Sequence, residues 1–309
     1  MSSVATPAPA PRRRRRRTKL QRRQTRIGWL LLIPSLAVVA FVAIYPLGKT
    51  VYQSFTNQEF LAGITPTEWV GLDNYRTLWH DTIFRDAVVQ TIKFTVITVS
   101  FEFVLGLIIA LVVNSSFKGR GLMRAVMLVP WAIPTVVAAK MWQWMLDDVY
   151  GVVNDLGVRL HILSHSHAWI SDPATSLGAV CAVDIWKTTP FVALLLLAGL
   201  QVIPGDVYEA ASVDGASKWQ QFWRITLPLL RPAILVTLIF RTLDALRVFD
   251  VFAVFFGNRP DTQTMAIYDQ STIVGDGHVG YGAAISVAIF LIIAVFVVIY
   301  VTFMRVTEE

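Results

Sequence analysis

Six stretches of the chain are apolar almost without interruption, and polar, turn-forming residues separate them. They run approximately from Gly28 to Leu47, Val89 to Val113, Met123 to Met145, Ser176 to Leu200, Ala233 to Phe256 and Tyr281 to Met304. A helix needs about 20 such residues to cross about 30 Å of hydrocarbon. The pattern therefore predicts an all-α polytopic membrane protein with six transmembrane helices. No internal repeat stands out beyond this alternation.

Composition agrees with that reading. Hydrophobic residues fill 55% of the 309 positions and charged ones 16%, too apolar for an ordinary soluble domain. The single cysteine, Cys181, lies in an apolar run; it excludes an intrachain disulfide and reads as a small buried residue.

The net charge of +6 is concentrated at one end, since ten of the 27 basic residues fall between Arg12 and Arg26. Residues 1–27, with Pro7, Pro9 and Pro11 ahead of Arg12 to Arg17, are predicted to be a disordered tail drawn to anionic headgroups. A tail of this kind beside a span sets topology, and no nucleic acid partner is expected. The run after it is too long for a signal-peptide core and has no small-residue cleavage site, only Tyr45-Pro46-Leu47-Gly48-Lys49, so it reads as a retained first span.

Basic residues in short connections mark the cytoplasmic side. One side holds the tail, then Lys118, Arg120 and Arg124, then Lys218, Arg224 and Arg231, and finally Arg305. The other holds Lys49, Arg76 and Arg85, then Arg159, then Arg259. The bias predicts a multi-pass protein of the cytoplasmic (plasma) membrane with both termini in the cytoplasm.

Tyr208 to Pro232 is a polar island between the fourth and fifth spans. Pro204 ends the preceding span, Asp206 is placed to cap a short helix, and Asp214-Gly215 supplies a turn. Ala216 to Thr226 restart a second helix, and Pro228 and Pro232 stop and redirect the chain into the fifth span. Glu209, Ala210, Ala211, Asp214, Gly215, Ala216, Phe222 and the Leu227-Pro228 exit resemble the "EAA" loop of permease subunits of binding-protein-dependent ABC importers of the maltose type. Trp69 to Tyr75 resembles an element of sugar-type permeases, as does Phe240 to Asp250, although Gly257-Asn258-Arg259-Pro260 replaces part of the glycine-rich turn that usually follows the latter.

The resemblance covers Gly28 to Arg305. It implies a coupling helix-turn-helix between helices 4 and 5 that inserts into a cleft on an ATPase subunit. Glu209 would meet a basic residue there, Gly215 would fix the turn, and Ala210, Ala211 and Ala216 would permit close approach. It further implies a second homologous permease, two ATPase subunits, an extracytoplasmic solute-binding protein and a sugar cargo, a disaccharide such as trehalose foremost. The chain has no G-x-x-x-x-G-K-[ST] phosphate loop, so no cofactor and no catalysis are expected on it. ATP and Mg would belong to the partner ATPase.

Eight ionisable residues stand out deep inside the spans: Glu102, Lys140, Asp184, Lys187, Arg241, Asp244, Arg247 and Asp250. Such residues are costly in lipid and are paired or functional. Steps of three suggest pairs Asp184 with Lys187, Arg241 with Asp244 and Arg247 with Asp250. At 1.5 Å per residue, Lys140 sits about 25 Å up the third span, Arg247 about 20 Å up the fifth and Asp184 about 12 Å below the outer end of the fourth. These depths predict convergence in the outer half of the bilayer, on a translocation path of Lys140, Asp184, Lys187, Arg241, Asp244, Arg247 and Asp250. Interhelical pairing and cargo contact both remain open for them. Trp131, Trp142, Trp144 and Trp186 are placed to stack on sugar faces or to pack.

Other signals point elsewhere. Gly275 to Gly280 matches G-x-G-x-x-G, but no strand precedes it. His161, His165 and His167 lack the companions of a metal site. Three competing functions are an ion-coupled secondary transporter using the intramembrane carboxylates, a membrane enzyme and a basic-tailed scaffold.

Overall fold

The computed structural model describes residues 19–60, 66–115 and 118–306; the arginine run of the tail lies outside them. The chain divides into a unit that ends at Tyr52 and a second that begins at Gln53. In the first, α1 (Lys19–Val39) continues through a wide π turn (Ala40–Ile44) into α2 (Tyr45–Gln53). The segment expected to be disordered to residue 27 is thus helical from Lys19. Lys, Gln and Arg are good helix formers, and the apolar run that follows extends the helix backwards over them.

In the second unit, α3 (Asp73–His80) precedes the long α4 (Thr82–Asn114). The third apolar segment is not one helix. It comprises α5 (Arg120–Ala132) and α6 (Thr135–Met145), bent by 88°. Proline disfavours helical backbone in the residue before it; Ile133, ahead of Pro134, is extended at ψ 131°. Then come α7 (Val152–Arg159), α8 (Pro173–Leu200), α9 (Gly205–Val213) and α10 (Lys218–Gln221). A second π turn, Phe222–Thr226, leads into α11 (Leu227–Ala245). After a break come α12 (Asp250–Phe256), α13 (Met265–Gln270) and α14 (Val279–Val306). Among the described residues five helical runs are long and apolar enough to span a membrane, and the bent pair brings the count to six where it is taken as one broken span.

The prolines of the fourth connection were expected to stop the chain. Instead, helix runs unbroken from Lys218 to Ala245. Pro228 cannot donate to the carbonyl four residues back, and the π turn ahead of it widens the helix where its ring would clash. The same arrangement precedes Pro46.

Helix α8 is the axis of the second unit, packed against α4, α11 and α5. Glycines set the closeness of two of these contacts. A Cβ on Gly106 would come within 2.6 Å of Val192, and one on Gly199 within 2.3 Å of the Ala233 Cβ. Thr91, Thr95 and Thr98 line the buried face of α4 and return their hydroxyls to carbonyls four residues back at 2.7–2.9 Å, so the face is small without unsatisfied polar groups.

The Trp69 to Tyr75 element is a clip. Asn74 Nδ2 donates to the carbonyls of Ser54 and Thr56 at 2.9 Å, and the hydroxyls of Tyr75 and Ser54 are 2.6 Å apart. The glycine-rich Gly275 to Gly280 segment closes on the same loop: Gly280 N–H donates to the Gln58 carbonyl at 2.8 Å. A Cβ on Gly280 would sit 2.0 Å from the Thr56 carbonyl oxygen.

Two carboxylates near these loops differ in charge balance. Asp81 starts α4 and accepts hydrogen bonds from the Tyr268 and Tyr281 hydroxyls at 2.5 Å each. Burial raises its carboxyl, but those bonds and the N–H groups of Phe84 and Ile83 outweigh it and hold the group below its usual range. Asp269 accepts from Ser286 at 2.7 Å through one oxygen, while the other is buried without a partner among the described residues. Burial pushes this carboxyl up to about 6.

Candidate functional site

Two interruptions in apolar helices meet at one cavity. The first is the bend between α5 and α6; the second is the irregular backbone from Leu246 to Phe249, between α11 and α12. Irregular backbone at membrane depth is tolerated where it lines a cavity. The cavity here, about 290 Å³, is lined by Trp131 and Thr135 from the first break, and by Ala245, Arg247, Val248, Phe249, Asp250 and Val251 around the second. Helix α8 adds Asp184, Lys187 and Thr188, and the end of α11 adds Arg241 and Asp244.

Arg241 organises its back wall. It is 2% exposed, and three carboxylates surround it. Nε and Nη2 form a fork onto Glu102, the Nη2 bond to Oε1 measuring 3.0 Å. Nη2 also donates to Asp184, and Nη1 donates to Asp244 at 2.7 Å. Four of the five guanidinium donors are therefore used by the chain itself. Glu102 is fully buried, and Thr188 Oγ1 lies against it and 2.6 Å from the Asp184 carbonyl oxygen. A buried guanidinium bound this way ties α4, α8 and α11 together and is costly to break.

Six of the seven residues expected on the path converge here: Asp184, Lys187, Arg241, Asp244, Arg247 and Asp250. Lys140 does not. It is exposed, donates to Gln143 at 2.9 Å, and borders a second cavity of about 900 Å³ with Trp144, Asp147, Asp148 and Arg259. The straight-helix rise that placed it with the others fails at the 88° bend.

The expected pairs also rearrange. Arg241–Asp244 forms, but among the described residues Asp184–Lys187 and Arg247–Asp250 do not. Asp184 turns to Arg241, Lys187 Nζ lies 3.5 Å from the Trp131 carbonyl, and the helix is broken between Arg247 and Asp250. Trp131 alone of the four tryptophans reaches this cavity, stacked on Phe191 at 5.6 Å; Trp142 and Trp186 pack edge to face on each other. The walls carry three acidic and three basic side chains, a balanced, hydroxyl-compatible lining with two aromatic residues, Trp131 and Phe249.

The sequence placed Glu102 among the charged residues of the spans but not on the path, and Thr188 drew no attention. The signal for Glu102 was its being a lone carboxylate in a long apolar helix.

The second site is the hairpin of α9 and α10. Pro204, not Asp206, occupies the N-cap position, and Asp206 sits in the first turn, where a carboxylate favours the helix N-terminus. Gly215 is left-handed at φ +80°, Gly215 N–H donates to Ser212, and Ala216 N–H to Ala211, a helix ending for which glycine has no Cβ penalty. Ser217 and Gln220 cap α10 reciprocally at 2.8 and 3.3 Å.

The two helices are then tied together. Gln221 Nε2 donates to Ser212 Oγ at 2.9 Å and to the Ala216 carbonyl at 3.1 Å, and the Tyr208 and Thr226 hydroxyls are 3.0 Å apart. None of these ties was foreseen. Glu209, Ala210, Asp214 and Gly215 stay exposed, and Ala211, Ala216, Phe222, Leu227 and Pro228 are half-buried. Among the described residues the Glu209 carboxylate has no hydrogen bond or ion pair.

Residues 102–308 match the family model of the "binding-protein-dependent transport system inner membrane component". The trehalose/maltose transport system permease MalF of Thermococcus litoralis is 41% identical over 285 residues, covering 92% of this chain and 95% of that protein. The trehalose transport system permease SugA of Mycobacterium tuberculosis is 38% identical over 278 residues, covering 90% and 88%. The sulfoquinovosyl glycerol transport system permease SmoG of Agrobacterium fabrum is 39% identical over 278 residues, covering 89% of each. Among solved structures, a chain of a bacterial ABC transporter for import of the acidic polysaccharide alginate superposes with a TM-score of 0.80 at 23% identity, covering 94% of this chain and all of that one. With six apolar segments and a matching fold, the chain belongs to the inner-membrane permease components of binding-protein-dependent ABC importers.

Proposed function

We propose that this chain forms one half of the translocation pore of an ATP-driven sugar importer, with trehalose or a similar disaccharide as cargo. Both termini and the α9–α10 hairpin face the cytoplasm, as the basic residues of the short loops indicate. A second permease completes the pore, two ATPase subunits bind ATP and Mg, and an extracytoplasmic solute-binding protein delivers the sugar. Relatives named for trehalose and maltose support the cargo class, although a sulfoquinovosyl glycerol permease is as similar.

The observation that carries the reading is the hairpin. Its two helices are tied to each other by internal hydrogen bonds, while its one glutamate is exposed and makes no ion pair among the described residues. Such a surface is completed by a partner. The ion-coupled alternative is disfavoured because three of the four intramembrane carboxylates, Glu102, Asp184 and Asp244, are bound to Arg241.

Purifying the chain with its bound subunits and reconstituting them in liposomes tests the proposal. Trehalose with its binding protein is expected to stimulate ATP hydrolysis, and uptake is expected to require ATP. Uptake that an uncoupler abolishes while ATP is maintained, with no ATPase copurifying, would overturn it.

A further inference from the structure

The hairpin has a second face that the exposed glutamate does not use. Gln221 and Thr226 are buried towards α9. Trp219 and Trp223, four residues apart, remain 69% and 51% exposed. With the half-buried Phe222 they form one aromatic group: Trp219 and Phe222 rings lie 6.1 Å apart, Trp219 and Trp223 5.6 Å, and Phe222 and Trp223 5.2 Å. Lys218 and Arg224 flank the group, and Arg231 follows on the same helical run; all three are exposed.

Two mutually packed indoles facing bulk water would leave a large apolar area hydrated. A bilayer surface suits both parts of this set, because indole rings prefer the headgroup level and cations beside them meet lipid phosphates. Position agrees with composition. The helix carrying the aromatics continues without a break into the apolar α11, so the group lies where a spanning helix leaves the hydrocarbon.

We propose that Trp219 and Trp223, with Lys218, Arg224 and Arg231, dock the second half of the hairpin into the headgroup layer of the surrounding bilayer, the ligand being anionic phospholipid. The α9 face with Glu209 is thereby left free for a protein. The inference requires only that the chain spans a membrane, so it stands or falls independently of the cargo and the ATPase.

The test uses the full chain with Cys181→Ala, and Trp219→Cys or Trp223→Cys introduced one at a time and labelled with a nitroxide. Val213→Cys, at the exposed end of α9, serves as the aqueous reference. In vesicles of phosphatidylcholine and phosphatidylglycerol, labels at 219 and 223 are expected to be several-fold more accessible to oxygen than to a nickel chelate, with the reverse at 213. Omitting phosphatidylglycerol is expected to reduce the contrast. Equal nickel accessibility at all three positions would overturn the proposal, as would protection at 219 and 223 that develops only when a copurified ATPase subunit is added. Because each label removes an indole, the unsubstituted chain is also irradiated with a photoreactive phosphatidylglycerol. Adducts within residues 218–224 are expected, and their absence would count equally against docking.

Discussion

The chain contains two polar islands in an apolar background, and they differ in where their charges are satisfied. Around Arg241 every strong partner comes from within: Glu102, Asp184 and Asp244 converge on one guanidinium from three helices. In the hairpin, the internal bonds join neutral groups such as Tyr208 with Thr226 and Gln221 with Ser212, and Glu209 is left in solvent. A charge closed inside the chain fixes how three helices meet. A charge left open on a rigid support marks where another molecule must complete the structure.

The largest effect is expected from opening the closed island. Arg241→Gln strands carboxylates in a buried site and is expected to cost about 3 kcal/mol or more, read as a lower unfolding temperature of the purified protein. Adding Glu102→Gln is expected to restore part of that loss, because it removes one stranded charge; an undiminished unfolding temperature in Arg241→Gln would break the contrast between the islands. Glu209→Ala is the opposite case. Uptake is expected to be lost while stability changes by no more than about 0.5 kcal/mol, so normal uptake at normal expression would refute the coupling role.

Smaller effects sharpen the picture. Arg247→Gln, on the cavity wall but outside the Arg241 network, is expected to raise the KM for uptake about tenfold, the loss of one charged hydrogen bond of about 1.5 kcal/mol. Lys140→Gln, at the other cavity, is expected to leave that KM unchanged. Asp269 gives the smallest effect and a pH signature. Its folded-state carboxyl is raised from 3.8 to about 6, so the folded chain binds the proton more tightly and stability declines as pH rises through that window. Asp269→Asn is expected to flatten this part of the stability profile and to raise the unfolding temperature above pH 6, measured by thermal scans across the range.

The islands were also unequally legible in the sequence. The hairpin is local: Gly215 and its turn follow from neighbouring residues, and Glu209 was picked out by the resemblance of a short contiguous motif, although the cap fell on Pro204 and Ser217 and not on Asp206. The closed island is tertiary, and Glu102 lies 139 residues from Arg241. Charges in apolar runs announced that pairing was needed, but not which helices would meet. Pro130 and Pro134 carried a signal for the first break that a hydropathy reading smooths over. The second break has no proline or glycine between Leu246 and Phe249, and only packing around the cavity reveals it. Lys140 was misplaced for the same reason, since counting residues along a helix assumes that the helix is straight.

The unbroken helix from Lys218 to Ala245 has a mechanical consequence. Were it to move as one straight rod, through its π turn and its prolines, the tight contact of Ala233 with Gly199 would be the natural fulcrum. From that point the arm to Trp219 is about 21 Å and the arm to Arg241 about 12 Å at 1.5 Å per residue. A rocking motion that displaces the hairpin end therefore appears at the guanidinium reduced to roughly half, and in the opposite direction. Replacing Gly199 with a larger residue would move the fulcrum, and with it the gearing between the two ends.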